Sequence, residues 1–307
     1  MTSEISLMLA VVARIMCQIV TTLSPQNLET RSCKTEHGCL SETCLGQAAK
    51  KQSSWQPKFF DDKFIILNEI SYLCTMFRFK QFAVDHDRSS MKVGTDAVLL
   101  GAWCDVGGAH RVLDVGTGCG VIALMVAQRT PGSCRIHAID IDQASVSEAQ
   151  GNFLRSPWSH RLTVQLVDVN DFFSQASFDL IVSNPPFYNE DVLPPDAVRA
   201  AARHTHALSF NQLMQAAVRL LSPHGSIAVV TPVEARDALT AAATFAGLHL
   251  ARFTQVHSTH AGPAKRLLWQ WSKQPCLTQR DALTIHRPDG QFTEHYCTLC
   301  RDFYLKF

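Results

Sequence analysis

"RVLDVGTGCGVIALMVAQR", residues 111–129, decides the fold. Arg111 to Val115 reads as a short buried strand. Gly116, Gly118 and Gly120 then alternate with other residues, and an amphipathic helix begins near Cys119. Glycine at these positions keeps side chains out of a tight strand-to-helix turn, so that a ligand can approach backbone N–H groups at a helix N-terminus. The spacing is G-x-G-x-G rather than the dinucleotide G-x-G-x-x-G, and no Lys-Ser/Thr pair follows as in a phosphate loop. The turn is a nucleotide-binding geometry at the carboxyl edge of an α/β sheet.

Further strands should bring further groups to the same edge. "RIHAIDID" (135–142) contains Asp140, an acid placed to accept from both hydroxyls of an adenosine ribose, while Asp142 is placed to cap the helix "QASVSEAQGNFLR". "LTVQLVDVNDF" (162–172) reads as a third strand delivering Asp168, which could accept from an adenine amino group. Each acid taken singly could be a helix cap or a solvated strand end; three successive strand ends bearing such groups form a joint signal.

The fourth strand, "FDLIV" (178–182), runs into "SNPPFYNE" (183–190). Two consecutive prolines stop a helix and cannot serve a central strand, so they end this one abruptly. Strand ends of this kind border the ligand in α/β sheets, which sets Asn184, Pro185, Pro186 and Phe187 beside whatever the glycine loop binds. An exocyclic amine is a poor nucleophile because its lone pair is delocalised into the ring. The Asn184 side-chain oxygen and the Pro185 carbonyl can each accept one amine hydrogen and turn that lone pair outward. The prolines hold the carbonyl still, and Phe187 offers a face to a base drawn out of its stack.

These motifs resemble those of class I S-adenosylmethionine-dependent methyltransferases, on "VLDVGTGCG", "AIDID" and "VDVND". The resemblance implies S-adenosylmethionine as cofactor, held by Asp114, Gly116, Thr117, Gly118 and Gly120 around the methionine part, by Asp140 at the ribose and by Asp168 at the adenine. "NPPF" resembles the Asn/Asp-Pro-Pro-Tyr/Phe motif of amino methyltransferases, which act on nitrogen in adenine, guanine or protein glutamine; this motif alone does not choose the substrate. "FRFKQFAVDHDRSSMKVGTDAVLLGAW" (77–103), "SPWSHRLTV", "ARHTHALSF", "KRLLWQWS" and "FTEHYCTLCRDFYLKF" are similar to the bacterial tRNA(Val) (adenine-37-N6)-methyltransferases. That likeness implies tRNA as partner and a segment over the cofactor containing Lys92, Thr95 and Asp96, although Thr95 and Asp96 could instead cap the helix "AVLLGAW". Phe187 stands where close relatives often carry tyrosine, which keeps guanine-N2 rRNA methylation as the alternative; protein glutamine methylation is a weaker one. A non-catalytic RNA scaffold would have lost the glycine loop or Asn-Pro-Pro, and both are intact.

The later segments complete the expected architecture: a helix at "FNQLMQAAVRLL", a fifth strand at "HGSIAVVTP", a helix at "EARDALTAAATFAG", and "HLARFTQVH" with "AKRLLWQWS" as an antiparallel closing pair. The expected fold is a Rossmann-like, seven-stranded, mostly parallel sheet with helices on both faces and an antiparallel last strand. "LTIHRPDGQFTEHY" is expected to turn at Pro288 to Gly290 and pack on the domain.

The 307 residues, 46% of them hydrophobic, suffice for one such domain, which we expect to span residues 76–307. "KFFDDKFIILNEISYLCT" (58–75) shows no persistent period, and of three readings of residues 1–75, a membrane anchor, a small accessory domain or an extension upstream of the natural start, we expect the third. Their apolar run, Ile5 to Leu23, has roughly membrane-spanning length but is interrupted by Arg14 and preceded by an acid rather than a basic region, which makes a poor signal peptide. Of eleven cysteines, the six after Met76 lack a secreted-domain framework, which suits a reducing cytoplasm. Cys297 and Cys300 form a single pair with no second half-site, and His204 and His206 have no surrounding ligand set, so no metal is expected. A formal net charge of +1 gives no global sign of a nucleic-acid partner. RNA affinity would then come from a local patch including Lys80, Arg88, Lys92, Lys265 and Arg266. No membrane association or protein partner is implied, and a monomer is expected.

Overall fold

A computed structural model describes residues 76–89, 92–186 and 208–307. The expected extension over residues 1–75, Phe187, His204 and His206 lie outside the described residues. A two-residue hairpin pair, β1 (Phe77–Arg78) and β2 (Ala83–Val84), precedes α1 (Thr95–Trp103). Then come β3 (Arg111–Val115), α2 (Val121–Arg129), β4 (Arg135–Asp140), α3 (Gln143–Arg155), β5 (Leu162–Leu166) and β6 (Phe178–Ser183). Beyond the undescribed segment follow α4 (Phe210–Leu220), β7 (Leu221–Pro232), α5 (Arg236–Phe245), β8 (His249–Thr259), β9 (Ala264–Ser272), β10 (Gln279–His286) and α6 (Glu294–Cys300).

The sheet order is β10-β8-β9-β7-β6-β3-β4-β5. β9 runs antiparallel to both neighbours, and every other adjacent pair is parallel. Successive side chains point to opposite faces of a strand, so each central strand feeds two cores. Val112, Ala138, Leu180, Val182 and Ala228 pack with α1, α2, α3 and α6. Leu113, Val115, Ile181, Ile227 and Val229 pack with α4 and α5 on the other face. Burial on both faces is why these strands read as nearly continuous apolar runs.

Local chemistry places the helix ends. The Asp142 carboxylate accepts from the Ala144 and Ser145 amides, as its position before "QASVSEAQ" predicts. Ser209 and Gln212 form a reciprocal capping box at the start of α4. α1 differs from expectation, because its cap is Gly94 and no side chain caps it; Thr95 and Asp96 lie inside its first turn.

Two further expectations need correction. The third strand stops at Leu166, and the Asp168 carbonyl then accepts from the amides of Asp171 and Phe172, closing a turn where an unbroken strand to Phe172 was expected. The seven expected strands are joined by an eighth, because β10 pairs in parallel with β8 from Gln279↔Arg252 to His286↔Thr259. Without it β8 would be an open edge with unpaired backbone groups. Its sequence hid this because only Leu283 is buried. Its polar residues engage sideways instead: Asp281 accepts from Thr254 Oγ1 and pairs with Arg252 at 3.5 Å.

Gly120 shows how the first turn is packed. It has φ +83°, and an added Cβ would stand 2.5 Å from Cε1 of Phe153 and 3.3 Å from Cβ of Ala149. Gly118, at φ +55°, faces open space. Gly120→Ala is expected to lose roughly 2–5 kcal/mol from left-handed strain plus overpacking, against about 1–2 kcal/mol for Gly118→Ala from strain alone. Urea unfolding of the two variants measures the difference.

Candidate active site

β3 ends in Asp114 and Val115, both buried. Asp114 Oδ2 accepts from Thr117 Oγ1 at 2.7 Å and from the Ala123 amide at 3.2 Å, so one carboxylate ties the strand end to the turn and to the first turn of α2. Burial, opposed by those hydrogen bonds, pushes its pKa up to about 7. Asp114 and Thr117 are 0% and 4% exposed, so these two expected cofactor residues brace the loop from below.

The loop's open side belongs to glycine. Gly116 is exposed and Gly118 half-buried, and a Cβ built on either meets nothing within 4 Å. The amides expected to meet a ligand are engaged within the protein: Gly116 and Thr117 donate to the Ile139 carbonyl at 2.9 and 3.1 Å, Gly118 to Asp140 Oδ2 at 2.8 Å, and Gly120 to the Thr117 carbonyl at 2.9 Å. What the glycines leave for a ligand is therefore close approach to backbone rather than a row of free donors.

Asp140, at the end of β4, uses its other oxygen to accept from the Asp142 amide at 2.9 Å. Burial raises its pKa despite these bonds. Each oxygen keeps a second lone pair for a hydroxyl donor. Asp168 is half-buried in the turn after β5, where its Oδ1 accepts from the Asn170 amide and side chain, each at 2.8 Å.

Parallel pairing of β3 with β6 sets Ser183 opposite Val115, and Ser183 Oγ donates to the Val115 carbonyl at 2.9 Å. Asn184 therefore leaves the sheet beside Gly116. Its Oδ1 is buried and has no hydrogen-bond partner among the described residues. A buried amide oxygen left in this state is costly, which marks a place for a donor. Pro185 is buried and Pro186 exposed. The open glycine surface, the Asp140 carboxylate and the Asn184 oxygen thus converge on one edge, an arrangement that fits an adenosine-bearing ligand.

Lys92 and Thr95 are exposed, and half-buried Asp96 is paired with Arg266 Nε at 2.7 Å. Sequence reasoning missed what holds this segment in place. Asn152 on α3 donates to the carbonyls of Asp85 and Cys119, each at 2.8 Å, and accepts from the Asp85 amide at 2.9 Å. Glu148 accepts from the amides of Arg88 and Ser89 at 2.8 and 2.9 Å. The available signal was polar residues at i and i+4 on the buried stripe that also contains Ala149 and Phe153.

Residues 92–251 match the family described as Methyltransferase small domain. The tRNA1(Val) (adenine(37)-N6)-methyltransferase of Phocaeicola vulgatus is 45% identical over 231 residues, covering 75% of this chain and 97% of the relative. That of Trichodesmium erythraeum is 44% identical over 234 residues, covering 75% and 98%. The chain belongs to the tRNA1(Val) (adenine(37)-N6)-methyltransferase family. Its fold is also that of a predicted O-methyltransferase from Agrobacterium tumefaciens, with a TM-score of 0.54 at 18% identity, over 68% of this chain and 96% of that one.

Because burial raises the Asp114 pKa to about 7, the folded state holds a proton that the unfolded state releases near pH 4. The contribution of Asp114 to stability is full below about pH 4 and lost as pH rises toward 7. In the absence of methyl donor, the melting temperature of the wild type relative to Asp114→Asn should fall between those limits and level off above; calorimetry across that range checks it.

Proposed function

We propose that the chain transfers a methyl group from S-adenosylmethionine to N6 of adenine 37 in the anticodon loop of tRNA(Val). The observation that carries the site assignment is the buried Asn184 Oδ1, without a partner among the described residues, at the strand end beside the open glycine loop. Membership of the family supplies the substrate.

S-adenosylmethionine brings an electrophilic sulfonium methyl group. The residues that would hold it are Gly116 and Gly118 by close approach, Asp140 at the ribose hydroxyls and Asp168 near the adenine, with Asp114, Thr117 and Gly120 keeping the loop in shape. Family resemblance adds the segment containing Lys92, Thr95 and Asp96 beside the donor, although Thr95 and Asp96 also line a basic cavity next to α1. Asn184 Oδ1 and the Pro185 carbonyl accept the two hydrogens of the target amine, which favours a pyramidal nitrogen with its lone pair aimed at the methyl group. Pro186 restricts the backbone that positions this carbonyl, and Phe187 provides the stacking face for the extruded base. No strong base is required, because the amine becomes acidic only as it gains the methyl group. An anticodon loop presents its base single-stranded, with little unstacking cost.

Residues 76–307 form the methyltransferase domain of this reading, acting as a cytoplasmic monomer on tRNA; residues 1–75 add no motif to it. Among the described residues no helix is long and apolar enough to cross a membrane. Residues 76–307 expressed alone should keep the melting temperature and methyl transfer of the full chain. A large loss of either makes the first 75 residues part of the working protein.

Asp140→Ala should weaken donor binding by about 1–3 kcal/mol, since ribose hydroxyls lose an acceptor and Gly118 its brace. Asn184→Ala should spare donor affinity and collapse turnover, as expected for contacts made mainly in the transition state. Calorimetric titration with S-adenosylmethionine, alongside transfer of labelled methyl to unmodified tRNA(Val), rRNA and release-factor protein, separates these roles and the substrates. Label is expected as N6-methyladenosine in the tRNA; label confined to rRNA guanine or protein glutamine reassigns the enzyme.

A further inference from the structure

A cavity of about 840 Å³ lies beside the first turn of α1, and it is basic and aromatic at once. Arg78 from β1, Lys265 and Arg266 from β9, and Lys306 near the chain end supply its cations. Arg78, Lys265 and Lys306 are exposed, and none of them makes an ion pair among the described residues. Among the described residues the acidic side chain on its wall is Asp96, already paired with Arg266. The main-chain oxygen of Phe307 is held by Lys80 Nζ at 2.9 Å, which also donates to the Arg301 carbonyl, so Lys80 serves the C-terminal segment rather than an RNA patch.

Phe292 projects at this wall with 41% of its surface exposed. Its ring is set by His286 and Phe307, with centroids 4.9 and 5.0 Å away, so its orientation is held by neighbours. Unpaired cations around an exposed, braced aromatic ring suit a flexible polyanion that also offers flat π-faces, which is single-stranded nucleic acid. The placement agrees. Ser183, just before Asn184, is level with Val229 on β7, and Arg266 lies opposite Pro232 on the same strand. Two strand spacings sideways and three residues along the sheet separate them, roughly 10 Å in each direction. Both features open at the carboxyl edge of the sheet's parallel strands.

We propose that this groove binds the single-stranded RNA that flanks the target base, with Arg78, Lys265 and Lys306 taking backbone phosphates and Phe292 stacking a neighbouring base. The inference rests on the RNA-methylating reading above and extends it to a second contact surface, separate from the base pocket at Asn184.

The full-length chain and its Arg78→Ala/Lys265→Ala/Lys306→Ala variant would be titrated against labelled unmodified tRNA(Val) over a range of salt, with S-adenosylmethionine affinity and melting temperature measured alongside. The variant should bind the RNA at least about tenfold more weakly near physiological salt, with the slope of log affinity against log salt smaller by about two, as expected for three lost contacts to a single strand. Its donor affinity should not change. Lys265→Glu alone, at an exposed strand position, should weaken RNA binding in the same direction and covers the case in which the triple variant folds poorly. Equal RNA binding by variants and wild type, no RNA binding by the wild type, or a parallel loss of donor affinity overturns the groove. Methylation by the wild type separately tests the adenine assignment: weakened RNA binding in the variants, without wild-type methylation of this tRNA, keeps the groove and removes that substrate.

Discussion

Where β3 leaves the sheet, the Asp114 carboxylate accepts one bond from Thr117 and another from the amide of Ala123. That pair of contacts obliges the chain to turn within a few residues and to start α2 directly above the strand end. Such a turn requires positive φ, and Gly116, Gly118 and Gly120 adopt it at 70°, 55° and 83°. Every later feature of the site is referred to this turn: the β4 end reaches it through Asp140, and the β6 end through Ser183.

The three glycines divide the work by direction. Gly120 faces inward against Phe153 and admits no side chain for packing reasons, whereas Gly116 and Gly118 face outward and leave backbone bare for a ligand. α3 then ties this loop to the segment N-terminal of α1. Asn152 bonds the carbonyls of Cys119 and Asp85 with one amide group, while Glu148 gathers the amides of Arg88 and Ser89. Glu148 and Asn152, buried beside Ala149 and Phe153, are thus a positioning device, with hydrogen bonds to separate pieces of chain.

The elements flanking the loop were readable because each has one dominant local cause. "RVLDV" and "AKRLLWQWS" begin and end as expected, α3 starts where Asp142 can cap it, and Gly247, at φ 77°, follows the end of α5. β10 was not readable, since its stability comes from pairing with β8 and from the Asp281 contacts to Thr254 and Arg252, none of which leaves an apolar alternation. The end of β5 was overrun for a related reason: "VDVND" alternates like a strand, but Asp168 captures the Asn170 amide and the chain turns. The spacing of Glu148 and Asn152 could mark them as buried polar residues, but not their partners, which lie 33 to 67 residues away.

By itself the sequence determined the parallel α/β sheet, the glycine turn and the Asn-Pro-Pro strand end, because periodicity, glycine conformation and proline geometry act over a few neighbouring residues. The tertiary structure alone decided which groups remain available to a ligand. It spends the loop amides on Ile139, Thr117 and Asp140, turns Asp114 and Thr117 beneath the loop, and leaves Asn184 Oδ1 unpartnered among the described residues. It also withdraws Lys80 to the chain end while bringing Arg78, Lys265 and Lys306 together from positions far apart in sequence. Availability depends on which distant partner reaches a polar group first, and strand pairing across the whole sheet sets those distances.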